Sequence, residues 1–202
     1  MRATRESEGQ CSMEREAVLL TGGKSSRMGT DKAALVVDGE ALACRTARLL
    51  KSVVGLVTVL GGEPIPGCAF LQDVSPYQGP LAALLSFSPR ARTVFLCACD
   101  MPFFDPKIVD ALAERMTIHE PDAAVVPIVA GRLQPLCALY RASAFSLMKT
   151  VCAEGQLSLM AWLDSLWVET VDESQILATG IDPLSLTSVN TPEEFQRLLA
   201  QR

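Results

Sequence analysis

The sequence predicts an α/β domain of three layers around a largely parallel sheet. Three observations carry that expectation. Short runs such as Ala17-Val-Leu-Leu and Leu56 to Leu60 are almost wholly apolar, as strands covered on both faces should be. Segments with helical spacing of apolar residues alternate with those runs along the chain. The strand candidates end at Thr21-Gly22-Gly23, Gly61-Gly62, Asp73 and Asp100, the side of an open parallel sheet where ligands bind.

Residues 1–15 are polar and of mixed charge, and read as a flexible N-terminal tail. Residues 16–202 read as a single domain, long enough to bury a core. After the strand at Ala17 to Leu20, Ala41 to Val53 has roughly helical spacing, and Leu56 to Leu60 reads as a strand. Cys68 to Leu71 is a further short strand candidate, and Pro80 suits the first turn of a helix running to about Phe87. Thr93 to Cys97 is a strand that leads into Asp100-Met-Pro. Asp105-Pro106 has the pattern of a cap and a first helical residue, with the helix running to about Met116. Ala123 to Val126, Leu136 to Tyr140 and Trp167 to Val171 are strand candidates, with helices at Ala142 to Val151 and Leu157 to Leu163. Thr191-Pro-Glu-Glu opens the last helix, Glu193 to Leu199.

Composition narrows the function. Apolar residues make up 49% and charged residues 20%, a globular balance. A net charge of -5 leaves no basic surface for long nucleic acid, whereas a small anion needs only a few local donors. The N-terminus has no apolar signal-peptide core, and no apolar run is long enough to span a bilayer, so a soluble cytoplasmic protein is expected. Seven cysteines without a Cys-x-x-Cys pair read as reduced thiols; Cys97 and Cys99 read as two small residues on one face of a strand. The lone His119 reads as a surface-loop residue, and neither a Ser/His/Asp arrangement nor a zinc-ligand pattern is visible.

The richest segment is Thr21-Gly-Gly-Lys-Ser-Ser-Arg-Met-Gly29, directly after the first strand. Its glycines let backbone N–H groups approach a ligand, and Lys24, Arg27 and Lys32 add donors suited to phosphate oxygens. Gly23-Lys24-Ser25 imitates the end of a P-loop, but that motif requires glycine at position 18, where Val18 stands. An ordinary strand-to-helix turn with solvated charges is the competing reading. Asp100, at a strand end, suits Mg²⁺, which takes carboxylate oxygen together with substrate phosphates and water; a turn cap is the alternative. Asp73 follows another strand and could bond a base or ribose, or stand as a solvated loop carboxylate.

Taken in order, five blocks resemble the molybdenum cofactor guanylyltransferase family. They are Leu19-Leu-Thr-Gly-Gly-Lys-Ser-Ser-Arg-Met-Gly-Thr-Asp-Lys32, Asp73 with Gly79-Pro-Leu-Ala, Cys99-Asp-Met-Pro, Gln134-Pro-Leu with Ala138 and Tyr140, and Val189-Asn-Thr-Pro-Glu-Glu-Phe. The resemblance implies a Rossmann-like nucleotidyltransferase fold, mostly parallel with one reversed strand. It implies transfer of GMP from GTP, with Mg²⁺, to molybdenum-loaded molybdopterin. Molybdoenzymes or their chaperones would receive the product. By that likeness Leu20, Thr21, Gly22, Gly23 and Asp73 contact the nucleotide, Lys32 its phosphates, and Asp100 the metal. Arg27 joins Lys32 and Asp100 in the catalytic set, and Asn190 falls on a position associated with the pterin. Four places depart from the family pattern: Thr21 for Ala, Leu60 for an Asn near the guanine, Ala83 for Gly, and Ser188 for Asn. Leu60 keeps open a relative using CTP or another phosphorylated acceptor. A non-catalytic nucleotide- or cofactor-binding protein is a third reading, against which Lys32 and Asp100 together argue.

Overall fold

A computed structural model describes residues 14–22, 36–37, 39–73, 78–118, 124–189 and 191–200. Ten strands and seven α-helices are assigned among them. Strand β1 (Arg15–Leu20) is followed by a two-stranded ribbon, β2 (Val36–Val37) and β3 (Glu40–Ala41). Then come α1 (Leu42–Lys51), β4 (Leu56–Leu60), β5 (Ala69–Leu71), α2 (Pro80–Leu84) and β6 (Thr93–Ala98). The second half holds α3 (Lys107–Ile118), β7 (Ala124–Val129), β8 (Arg132–Leu133), β9 (Cys137–Arg141), α4 (Ala144–Ala153) and α5 (Leu159–Asp164). It closes with β10 (Val168–Val171), α6 (Glu173–Ala178), a 3-10 turn at Pro183–Leu186, and α7 (Pro192–Ala200).

The large sheet runs β10-β7-β9-β6-β1-β4-β5. β1 is parallel to both β4 and β6, β5 extends the parallel part, and β10 is parallel to β7. β9 is antiparallel to β6 and to β7, which makes it the reversed strand on this path. The short β8 also runs against β7, forming a hairpin off the path.

Side chains alternate across the sheet, and two cores result. Ala17, Leu19, Phe95, Cys97, Cys137 and Leu139 face α1, α3 and α6. Val18, Leu20, Val94, Leu96, Ala138 and Tyr140 face α2, α4 and α5. The chain leaves β1 through α1 toward β4, and returns from β5 through α2 to β6 on the other side of β1. These crossovers travel in opposite directions, so a constant hand requires helices on opposite faces, as found. The β6–α3–β7 connection travels the same way as β5–α2–β6, yet α3 shares the face of α1, so its hand is opposite. Strand β9 fills the gap this connection leaves.

Several elements differ from the sequence expectation. The α2 helix stops at Leu84, and its chain tightens to Phe87 through Leu85, Ser86 and Phe87 N–H groups bonded three residues back. Ribbon β2–β3, β8, α6 and the 3-10 turn are additions. The two proposed caps hold: Asp105 Oδ1 accepts the Lys107 N–H at 3.0 Å, and Thr191 Oγ1 accepts the Glu194 N–H at 3.1 Å. Cys97, Cys99 and Cys137 lie buried in one core. Of the tail expected over residues 1–15, residues 1–13 lie outside the described residues, as does His119, while Arg15 is the first residue of β1 rather than part of a tail. Among the described residues no helix is long and apolar enough to cross a membrane.

The core on the α4–α5 side is organised by aromatic stacking. Tyr140 and Trp162 stack with ring centroids 4.6 Å apart, and Phe145 meets Trp162 edge-on at 5.5 Å. Both polar tips are satisfied: Trp162 Nε1 donates to Ala144 O at 3.0 Å and the Tyr140 hydroxyl to Pro135 O at 2.8 Å. Trp162→Ala therefore removes a fully buried ring and a buried donor, and is expected to cost about 3–5 kcal/mol. Urea unfolding checks this; a loss below about 1 kcal/mol would contradict the packing described.

Candidate functional site

The carboxyl ends of β1, β4, β5 and β6 converge. At the end of β1 the Thr21 N–H donates to Leu60 O at 3.1 Å, and its hydroxyl donates to Gly61 O at 2.6 Å. The Gly61 N–H in turn donates to Leu71 O at 2.9 Å. Three strand ends are thus tied by consecutive bonds. Gly22 and Gly61 face each other: a methyl group placed on Gly61 would sit 3.1 Å from Gly22 Cα and 3.2 Å from its nitrogen. A methyl on Gly22 would lie 3.9 Å from Asp73 Oδ2, so that carboxylate stands over the glycine pair.

Asp100 arrives from the other side. The Cys99 N–H donates to Leu20 O at 3.1 Å, which carries the β6 chain one residue beyond the strand alongside β1. Adjacent strands lie about 4.8 Å apart, so Asp100 emerges beside Thr21 and Gly22. Its carbonyl accepts the Val189 N–H at 2.8 Å, and the buried Met101 and Phe104 anchor the turn that follows. The side chain is half-buried, with Oδ1 shielded from solvent. Beneath it lie thiols: burial, and after it the neighbouring Asp100 carboxylate, push the Cys137 thiol far up, and burial does the same to Cys97. Both stay protonated near neutrality, so the carboxylate rests on an uncharged floor.

Strand order reverses between β1 and β6. In open α/β sheets the crevice beyond the strand ends at such a reversal is where ligands bind. Thr21–Gly22 and Asp100 flank it.

Of the residues singled out from sequence, Leu20, Thr21, Gly22, Asp73 and Asp100 are brought together here. Gly23, Lys24, Arg27, Lys32 and Asn190 lie outside the described residues. Val189, immediately before Asn190, is bonded to Asp100. Leu60 is 1% exposed and packs in the core with Leu20 and Leu81, so its side chain points into packing rather than into the crevice. Ala83 is buried in the same core. Thr21, a mild departure by sequence, is the residue whose hydroxyl closes the β1–β4 tie. With only five residues, α2 contributes no developed helix dipole at the crevice.

Metal ligation is limited by the donor set. Among the described residues no group of three His, Cys, Asp or Glu is clustered. A lone, half-buried carboxylate at a strand end fits Mg²⁺, which fills its shell with substrate phosphates and water. It does not fit a site enclosed by protein ligands alone. A cavity of about 490 Å³ lies at the opposite end of the strands, with Arg15, Arg92, Thr93 and Arg141 in its lining, and takes no part in this arrangement.

Residues 17–170 match the family described as the MobA-like NTP transferase domain. The chain belongs to that family. Two relatives of this MobA-like chain are the molybdenum cofactor guanylyltransferase of Rhizobium meliloti (strain 1021) and the probable molybdenum cofactor guanylyltransferase of Mycobacterium avium (strain 104). The first is 33% identical, over 90% of this chain and 88% of its own length. The second is 32% identical, over 95% of this chain and 98% of its own length. The crystal structure of molybdopterin-guanine dinucleotide biosynthesis protein A from Archaeoglobus fulgidus superposes with a TM-score of 0.73 at 20% identity. It covers 93% of this chain and 100% of that chain, and establishes the shared fold.

The close approach of Gly22 and Gly61 gives a stability test. Gly61 (φ +74°) and Gly131 (φ +69°) have similar backbones, but a methyl on Gly131 meets nothing within 4 Å. Gly61→Ala is expected to cost about 1–3 kcal/mol more than Gly131→Ala, because only the first adds a backbone clash. Equal losses in denaturant unfolding would refute the contact.

Proposed function

We propose that this chain transfers GMP from GTP to the phosphate of molybdenum-loaded molybdopterin, forming the guanine dinucleotide cofactor and releasing pyrophosphate. The observation that carries this reading is the meeting of Thr21–Gly22, Gly61–Gly62, Asp73 and Asp100 at the strand-order reversal, in a chain whose relatives bear the guanylyltransferase name.

An oxygen of the acceptor phosphate attacks the α-phosphorus of GTP. The bond from α-phosphorus to the bridging oxygen breaks, and pyrophosphate leaves with that oxygen. The acceptor oxygen is already ionised near neutrality, so no general base is needed. Both reactants are anions, and the chain's task is to hold them in line while offsetting their repulsion. The Gly22 main-chain N–H receives a phosphate oxygen, and Lys32 and Arg27 neutralise charge there. Asp73 accepts hydrogen bonds from the nucleoside. Asp100 holds Mg²⁺, which when bound polarises the phosphoryl oxygens and screens their charge. Asn190 serves the acceptor. Because Leu60 is committed to the core, guanine is read by groups other than the side chain at 60. The reaction belongs in the cytoplasm, with residues 16–202 acting as one domain and molybdoenzymes or their chaperones taking the product.

Pyrophosphate release from each NTP in the presence of Mg²⁺ and molybdenum-loaded molybdopterin tests this. GTP is expected to be turned over in preference to ATP, CTP and UTP. Asp100→Ala and Lys32→Ala should each lower kcat by about 100-fold or more, with Asp100→Ala unresponsive to added Mg²⁺. Wild-type-like turnover in Asp100→Ala, or preference for CTP, would overturn the assignment.

A further inference from the structure

The exit of β4 is held by one side chain. Thr21 is 7% exposed, and its hydroxyl donates to Gly61 O at 2.6 Å. The preceding peptide is already tied at both ends: Leu60 O accepts the Thr21 N–H at 3.1 Å, and the Gly61 N–H donates to Leu71 O at 2.9 Å. The Thr21 hydroxyl therefore fixes the next peptide, which joins Gly61 to Gly62. That peptide has particular need of a restraint. Both of its residues are glycines at positive φ, +74° and +60°, and glycine is the residue least confined by its own sterics. No side chain at 62 can take over the task, because a methyl there would sit 2.7 Å from Thr21 Oγ1.

A trans peptide is planar, and its C=O and N–H point in opposite directions. Drawing the Gly61 carbonyl onto Thr21 therefore turns the Gly62 N–H away from Thr21. Gly62 is exposed, and among the described residues no main-chain carbonyl accepts that N–H. Its nitrogen lies on the Asp73 side: a methyl on Gly22 would stand 3.8 Å from Gly62 N and 3.9 Å from Asp73 Oδ2. A main-chain donor and a carboxylate acceptor thus border one space. The N–H can only donate, and the ionised carboxylate can only accept.

A base edge with an acceptor next to a donor fits this pair. The 6-oxo group and N1–H of a 6-oxopurine have that order. Adenine has the reverse, an amino group at C6 and a bare nitrogen at N1. We infer that Thr21 is a specificity-determining positioning residue, whose hydroxyl aims the Gly62 N–H at the 6-oxo group of the purine while Asp73 accepts from N1–H. The inference rests on the nucleotide placement given under the proposed function. With the phosphates held toward Asp100, on the other flank of β1, adenine would set its amino group against the N–H and its bare nitrogen against the carboxylate. Both pairs would then be mismatched, and polar groups left unpaired in this way are what make a hydrogen-bonding site selective. This arrangement supplies the reader of the base that the buried Leu60 side chain cannot be.

ITP and ATP differ only at N1 and C6 of the purine. Calorimetric titration of the full chain with each, and with GTP, in Mg²⁺ reads the contact without an acceptor. Wild type should bind ITP and GTP about tenfold or more tightly than ATP. Thr21→Val, which keeps the shape and deletes the donor, should weaken ITP and GTP about fivefold or more and leave ATP within about twofold. Thr21→Ser should restore the preference. The thermal midpoint reports whether each variant folds; if Thr21→Val does not, Thr21→Ala and the wild-type Gly62 amide carry the test. ITP and GTP should slow exchange of that amide, followed by NMR, and ATP should not. No preference for ITP over ATP, equal weakening of all three nucleotides, a Thr21→Val preference like that of wild type, Thr21→Ser no better than Thr21→Val, or a Gly62 amide slowed equally by ATP overturns the inference. Pyrophosphate release separates this result from the reaction itself. A preference that follows the Thr21 hydroxyl, without turnover of GTP and molybdopterin, keeps the contact and removes the reaction. Turnover with a preference unmoved by Thr21→Val keeps the reaction and removes the contact.

Discussion

The double pairing of β1 is the constraint on which the site depends. Its residues from Glu16 to Leu20 are in parallel register with both β4 and β6. This double pairing places Thr21 and Gly22 between Gly61–Gly62 on one side and Asp100 on the other. The Thr21 hydroxyl extends that pairing past the last strand residue by bonding the Gly61 carbonyl. Thr21 and Gly22, held in this way, keep a fixed direction before any ligand arrives, which reduces the ordering cost of binding.

The two flanks of the crevice are built differently. On the β4–β5 flank, Gly22 and Gly61 lie so close that a methyl group on Gly61 would sit 3.1 Å from Gly22 Cα. Asp73 stands over this pair. On the β6 flank, a carboxylate is held above protonated thiols by a turn whose next apolar residues, Met101 and Phe104, are buried. The Val189–Asp100 bond brings the C-terminal segment to this flank, joining segments far apart in sequence at the point where an acceptor would approach. At the other end of β1, Glu16 is buried and its Oε1 accepts the N–H groups of Arg90 and Ala91 at 2.5 and 2.8 Å. That bond fixes the entry to β6 and so sets the level at which Asp100 emerges.

Much of this was legible in the amino-acid order, for identifiable reasons. A strand covered on both faces must be apolar throughout, so β1, β4 and β6 stood out as runs. Asp105 and Thr191 stood out because capping requires an oxygen beside a proline or an acidic first turn. The direction of β9 was not legible in composition, because a buried antiparallel strand between two parallel ones carries the same apolar residues; the expectation of a reversed strand came from family likeness. The ribbon β2–β3 is too short to show a period. Helix α6 had a signal that was passed over: Asp172 and Gln175 form a reciprocal capping box ahead of Ile176. In the site, Asp73, Asp100 and Gly22 were recognisable from strand ends, whereas the role of Thr21 and the burial of Leu60 depend on the register of β1 against β4.

Hydrogen exchange on the full chain, with and without GTP and Mg²⁺, addresses the central claim most directly. Binding at the strand-order reversal predicts slowed exchange in peptides covering Thr21–Gly22, Gly61–Gly62 and Cys99–Met101, with the opposite end of the sheet around Arg15, Arg92 and Arg141 unchanged. Protection confined to that opposite end, with the carboxyl ends of β1, β4 and β6 unaltered, would contradict the account.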